Sequence, residues 1–368
     1  MDNNVIDFDK SKEKLINKRY PNISSLYSKG NELVFAESNL AFKKFQEVFF
    51  KYQDYLSDKS NKEVKLDEVL LYFGRYFDAI YKDVVVFDDK KVGKFKEALD
   101  YSMLSSGKRL RPFLMFVTYN LFLGTDFFMI APFMVSIELI HTFSLIHDDL
   151  PCMDNDELRR GKPTVWKKYG EDIAVLVGDA LMMEAATILV ETILEVVYTS
   201  YGALTSTSAI VLMKLAGLEG MITGQAFDVM NTNNTELKVE DIWYMYDKKT
   251  SALLAASIII GANMSGRIGM NVEKIERMGH YIGEAYQIKD DLLEIESTEE
   301  KIGKSTKSDE KNNKVTYVSK VGVEKAKKRL SVLSNAISEL ADSFATVNNA
   351  KELLVFKSVL RYLLEREN

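Results

Sequence analysis

Apolar residues return every three or four positions along most of this chain, and few helix breakers interrupt them. That period marks one face of an α-helix. In residues 35–56, Phe42, Phe45, Val48 and Phe49 share such a face. Near the other end, Ala326, Leu330, Leu333, Ile337 and Leu340 step by four and three. Only five prolines and nineteen glycines punctuate 368 residues, too few for a chain built of turns. The spacing predicts helices near 65–84, 90–105, 110–122, 130–149, 171–199, 205–230, 238–263, 271–297, 322–343 and 348–365. Residues 296–314 are charged, carry no apolar face and read as a loop. The expected fold is all-α: a polar N-terminal extension over 1–62 with one amphipathic helix, then a single large helical bundle over 63–368.

At 46% hydrophobic, the chain can bury a large core. A formal net charge of −6 argues against nucleic acid as a partner, since nucleic acid selects basic patches. The single cysteine, Cys152, excludes an internal disulfide and fits a reducing compartment. The first ten residues are acidic and have no apolar centre, unlike a leader or transit peptide, so a cytoplasmic location is expected. The most apolar stretch, 121–146, is interrupted by Asp126, Pro132, Glu138 and His141. A buried helix is expected there, without stable membrane insertion. The C-terminal Glu-Arg-Glu-Asn is no prenylation box.

One stretch carries chemistry. From His141, an apolar helical segment delivers Asp148 and Asp149; Pro151 disturbs the helix; Asp154 follows; then Arg159 and Arg160 sit on a turn marked by Gly161 and Pro163. Carboxylate oxygens suit Mg²⁺, which commonly binds through one or two carboxylates plus substrate phosphates. Guanidinium pairs suit phosphate oxygens. Alone, an acidic turn is a common solvated surface. Here apolar residues lead directly into it, and a second acidic motif exists. Gln287, Asp290, Asp291 and Glu294 fall at i, i+3, i+4 and i+7 of a helical pattern, beside Tyr286. Three carboxylates on one stripe repel unless cations neutralise them. Gln225 with Asp228, and Lys249 with Thr250, are further polar groups in apolar helical stretches. Together they read as groups lining a cavity in a helical bundle. Gly107-Lys108-Arg109-Leu110-Arg111-Pro112 is a cationic turn entering a helix.

With both motifs in place, the chain resembles the all-helical trans-prenyltransferases, the short-chain isoprenyl diphosphate synthases that make farnesyl and geranylgeranyl diphosphate. Asp148, Asp149 and Asp154 match that family's first acidic motif, with four residues between the pair and the third aspartate; Gln287, Asp290 and Asp291 match its second. The likeness runs from about 90 to 317 and leaves the first 85 residues unaccounted for. Glu294 stands where aspartate is usual, Trp166 where histidine is frequent, and the loop near Lys307 is not a clean match, so only Lys304 is carried over there.

The resemblance implies an isoprenoid synthase bundle around a central apolar cavity. It implies condensation of isopentenyl diphosphate with dimethylallyl, geranyl or farnesyl diphosphate, as a homodimer. Three Mg²⁺ per site, or Mn²⁺ in their place, would be held by Asp148, Asp149, Asp154, Asp290, Asp291 and Glu294. Arg159, Lys249 and Lys304 would contact the allylic diphosphate. Lys108, Arg111, His141 and Arg160 would be the cations that bind isopentenyl diphosphate without metal. Gln225, Gln287 and Thr250 would face the reacting carbons, Tyr286 would help bind substrate, and the released diphosphate would take the proton. Phe143 and Ser144, about one helical turn before Asp148, would floor the tunnel for the growing chain. Phe143 points to fifteen carbons, and the wording around the first motif points to twenty. Bisphosphonates, which mimic diphosphate, are expected inhibitors. A terpene cyclase of the same architecture, or a silent partner subunit, is the alternative reading.

Overall fold

The computed structural model describes residues 36–365, apart from Asp88, Ser106, Asn233, Ile268 and residues 297–314. In chain order the helices are α1 (Ala36–Ser57), α2 (Leu66–Val84), α3 (Gly93–Leu104), α4 (Leu110–Leu121), α5 (Phe127–Asp148) and α6 (Val165–Tyr169). Then come α7 (Glu171–Val196), α8 (Gly202–Ala216), α9 (Met221–Met230), α10 (Val239–Tyr246) and α11 (Ala252–Met264). Last are α12 (Val272–Glu296), α13 (Tyr317–Val321), α14 (Val323–Asp342) and α15 (Ala350–Glu365). A two-stranded hairpin, β1 (Leu158–Arg159) and β2 (Lys162–Pro163), is the one sheet among the described residues.

Two of these helices are apolar on every side, and such helices belong inside. Helix α5 buries residues from Met129 to Ile146, and α11 buries nearly its whole length. Helix α4 packs on both of them, α7 on α5, and α8 and α12 on α11. Helix α5 is long and apolar enough to cross a membrane by length and composition; most of it is covered by its neighbours here. Residues 171–196 and 202–230 meet the same measure but are only partly covered. Their outer faces show Leu176, Met183, Val190, Leu194 and Ile210.

Three expectations are corrected. The boundary at 62 does not separate α1 from the rest. Helix α1 packs along α2 and α15, and Phe45 and Phe49 join Phe73, Phe113 and Phe116 in one aromatic core. Aromatic pairs of this kind gain energy beyond their buried area. The helix predicted over 205–230 is two, since Gly217 and Gly220 take backbone angles no helix uses. The helix predicted over 238–263 is interrupted by one π-helical turn, Asp247–Ser251. Of the charged segment expected as a loop, Glu296 ends α12 and residues 297–314 lie outside the described residues.

Candidate active site

The C-terminal end of α5 and the middle of α12 bring the two acidic motifs into one region. After α5 the backbone turns back, and the Asp154 amide donates to the Asp148 carbonyl at 2.9 Å. The four-residue spacing therefore places those two aspartates side by side. The hairpin follows. Its two loop residues, Arg160 (φ 53°) and Gly161 (φ 73°), both lie in the left-handed region, as a tight antiparallel turn requires. Trp166 donates its indole hydrogen to the Asp156 carbonyl at 2.8 Å and secures the hairpin base.

Neighbouring carboxylates face apart, because successive residues step about 100° around a helix. Asp148 and Asp154 are half-buried. Asp149 is 3% exposed and accepts from Arg159 through Nε (2.9 and 3.0 Å) and Nη2 (2.6 Å). The same split recurs on α12. Asp290 is half-buried and lines the main cavity. Asp291 is buried, accepting from the Tyr246 hydroxyl at 2.5 Å and the Gln287 amide at 3.1 Å. Burial pushes the Asp291 carboxyl up to about 7, with Asp290's charge adding to the rise against those hydrogen bonds. Thr250 donates to Gln287 at 2.8 Å, and the Tyr317 amide donates to the Tyr246 hydroxyl at 2.9 Å. A single network thus fixes the polar face of α12.

Among the described residues no three such side chains converge on one point. Asp149 and Asp291 are buried and hydrogen-bonded to Arg159, Tyr246 and Gln287, and Asp148, Asp154 and Asp290 are half-buried carboxylates of the two motifs. That donor set suits Mg²⁺ bridged by substrate phosphates, which needs few protein ligands. Lys304 and the side chain of Glu294 lie outside the described residues.

The π-helical turn carries the next pair. Lys249 meets Asp228 of α9 at 2.6 Å. A β-carbon on Gly224 would stand 2.2 Å from the Lys249 amide nitrogen, and one on Gly283 would stand 2.1 Å from Ser251 Oγ. Glycine on both flanking helices lets the turn sit this close. Such turns recur at functional sites. On α9 the Gln225 amide is buried with neither its nitrogen nor its oxygen hydrogen-bonded. A buried amide of this kind normally has a partner, which makes Gln225 a candidate to meet substrate.

A cavity of about 1070 Å³ gathers Lys108, Arg111, His141, Arg159 and Arg160 opposite Thr250, Tyr286, Gln287 and Asp290. Arg111 Nη1 lies 3.0 Å from His141 Nε2. Guanidinium can only donate, so Nε2 accepts and is unprotonated. Burial first, then Arg111 and Arg160, hold His141 well below the usual histidine range. His141, expected among the cations for isopentenyl diphosphate, is thus ringed by Arg109, Arg111, Arg159 and Arg160, which disfavour its charged form. Phe143 is buried about one turn before Asp148, its ring centre 5.9 Å from that of His147, and the Ser144 hydroxyl donates to the His141 carbonyl at 2.9 Å.

Asp228, Tyr246, Glu138 and Arg109 are site residues that the sequence reading did not assign. Asp228 had a signal in its helical spacing from Gln225, Arg109 in the cationic turn and Glu138 as a charge inside an apolar stretch.

The model of the polyprenyl synthetase family matches residues 92–354. A chloroplastic geranylgeranyl pyrophosphate synthase of Capsicum annuum is 38% identical over 267 residues, covering 72% of this chain and 70% of the relative. A farnesyl diphosphate synthase of Geobacillus stearothermophilus is 41% identical over 237 residues, 64% of this chain and 78% of the relative. Among solved structures, a geranyltransferase of Helicobacter pylori complexed with magnesium and isoprenyl diphosphate aligns with TM-score 0.69 and 30% identity. That alignment covers 83% of this chain and 98% of the other.

Proposed function

The chain belongs to the polyprenyl synthetase family, and from that premise we propose that its cavity condenses isopentenyl diphosphate with allylic diphosphates to make farnesyl or geranylgeranyl diphosphate. One observation carries the reading. A cationic face (Lys108, Arg111, Arg160) and an acidic face (Asp290 with Gln287) line the same cavity. A diphosphate bound by cations and another bound through metal can therefore lie side by side. A terpene cyclase has no use for the first face, and a silent subunit has none for the second.

Mg²⁺, when bound, neutralises the charge that develops on the leaving diphosphate. Asp148, Asp154 and Asp290 would hold it, with Glu294 added and three ions as the full complement. The chain's own residues bind and orient. Arg159, fixed by Asp149, and Lys249, fixed by Asp228, supply directed positive charge to the allylic diphosphate, with Lys304 joining them. The orphaned Gln225 amide, the Thr250 hydroxyl and Gln287 face the reacting carbons. The allylic carbon–oxygen bond breaks, the isopentenyl double bond attacks the allylic cation, and a proton leaves to the released diphosphate. Phe143 floors the tunnel.

The protein acts as a homodimer in this reading. The support is a stripe along α7 and the residue after it: Leu176, Met183, Val190 and Val197 recur at seven residues and are all exposed, as is Leu194 between the last two. Heptad spacing on an uncovered face suits a second helix of the same kind.

The test incubates the enzyme with labelled isopentenyl diphosphate, each allylic primer in turn and Mg²⁺, and resolves products by chain length. Linear products of fifteen or twenty carbons are expected, shifting longer in Phe143→Ala. Cyclic hydrocarbons, or no incorporation by the wild type, would overturn the reading.

A further inference from the structure

The basic turn holds three cations, and they do not point the same way. Lys108 is exposed, its ammonium 5.1 Å from the Tyr362 ring, and Arg111 reaches His141. Arg109 turns inward and is 5% exposed. Its backbone makes this possible by adopting φ 49°, a left-handed conformation that costs a side-chain-bearing residue energy. Such a conformation persists only where surrounding contacts enforce it. Here they are strong. Nη1 lies 3.0 Å from Glu138 Oε1 of α5, with both side chains 4% exposed. Nη2 lies 3.2 Å from Asp78 Oδ1 of α2 and also donates to the Met103 carbonyl at the end of α3. The guanidinium stands over the Phe77 ring, its carbon 5.2 Å from the ring centre.

One side chain therefore ties α2, α3 and α5 to the turn that leads into α4. Its position next to Arg160 gives this a chemical meaning. A β-carbon on Gly107 would lie 2.5 Å from Arg160 Nη1 and 3.5 Å from Arg109 Nη1. Arg160 is thus seated on the turn's backbone, close to the Arg109 guanidinium. Glu138 sits one helical turn before His141 on α5, and it lines the cavity together with His141 and Arg160. The Arg109–Glu138 pair is a buried neutral block beneath the cations. Buried pairs of this kind add little net stability, and their best-supported use is to specify one arrangement.

We propose that Arg109 is a positioning residue for the metal-free diphosphate site: held by Glu138 and Asp78, it sets the turn that aims Lys108 and Arg111 and seats Arg160. This rests on the reading that these cations bind isopentenyl diphosphate. Arg109 acts through the turn in this proposal, since Glu138, Asp78 and the Met103 carbonyl take three of its five N–H groups.

The test measures KM for each substrate, kcat and Tm in Arg109→Lys and in the double variant Arg109→Met/Glu138→Met. Lysine keeps the charge but loses the fork, which is not a conservative change at a multiply bonded site. Misplacement of binding groups by even an ångström is costly, so KM for isopentenyl diphosphate should rise about tenfold in Arg109→Lys, with the allylic KM within about twofold of wild type. The double variant removes both buried charges, so its Tm should stay near that of the wild type while the isopentenyl KM remains raised. The proposal is overturned if a folded variant keeps the wild-type isopentenyl KM, or if both substrates are weakened alike. It is also overturned if isopentenyl KM follows Tm across the variants, including when Arg109→Lys does not fold. A wild-type enzyme that never saturates with isopentenyl diphosphate would instead remove the functional reading itself.

Discussion

Adjacent aspartates in this protein do different work. Asp148 and Asp149 share a motif, yet one is half-buried and the other is locked onto Arg159. Removing the lock should look different from removing a ligand. Asp149→Asn is expected to raise the allylic KM about tenfold while leaving the Mg²⁺ requirement near wild type, because charge-assisted bidentate pairs fix geometry. Asp148→Asn should raise the Mg²⁺ requirement, and kinetics across a Mg²⁺ series separates the two. A further residue titrates. Burial first, then Glu184 and Glu195, push Glu191 from 4.5 up to about 7. The folded state then holds a proton that the unfolded state has lost between those values, so this group's contribution to stability is full below 4.5 and is lost as pH rises through 7. In Glu191→Gln the difference between Tm at pH 5 and at pH 8 should shrink; an unchanged difference would show that the group does not titrate there. Residues of this kind are hard to read from sequence. Asp148, Asp290 and Gln287 announce themselves by spacing. Tyr246 meets Asp291 across 45 residues and Lys249 meets Asp228 across 21, and no local pattern encodes such a meeting.

At the scale of elements, periodicity located most helices to within a few residues, because packing of one apolar face dominates helix formation in a large body. It failed where backbone geometry, and not burial, decides. The π-helical turn continues the apolar pattern on both sides, so nothing in the periodicity of residues 238–263 reveals the extra residue. The turn's seat depends on Gly224, where an added β-carbon would meet backbone atoms that no side-chain rotation can move. Gly224→Ala should lower stability by about 1–3 kcal/mol and lower kcat more than either KM, since it displaces Lys249 and Thr250. Denaturant unfolding together with steady-state kinetics would check this. Wild-type kcat in Gly224→Ala would mean that the turn's position is not critical.

For the whole molecule, the all-α bundle was legible in the sequence, whereas the place of the first helix was not. The amphipathic pattern of 35–56 names a buried face but not its partner. Only the assembled body shows Phe45 and Phe49 among the aromatics of α2 and α4. The outer stripe on α7 is the complementary case, a pattern without a partner inside the chain. Met183→Glu, set on that exposed stripe, should shift light-scattering mass from two chains to one, whereas an unaffected dimer would place the interface elsewhere. The account turns on one claim, that two diphosphates share a cavity and only one of them depends on metal. Calorimetry with the metal-stripped enzyme tests it directly, titrating isopentenyl diphosphate and a non-ionisable allylic diphosphate analogue with and without Mg²⁺. Isopentenyl diphosphate should bind in both conditions and the analogue only with Mg²⁺. Equal dependence of both ligands on Mg²⁺, or of neither, would contradict the account.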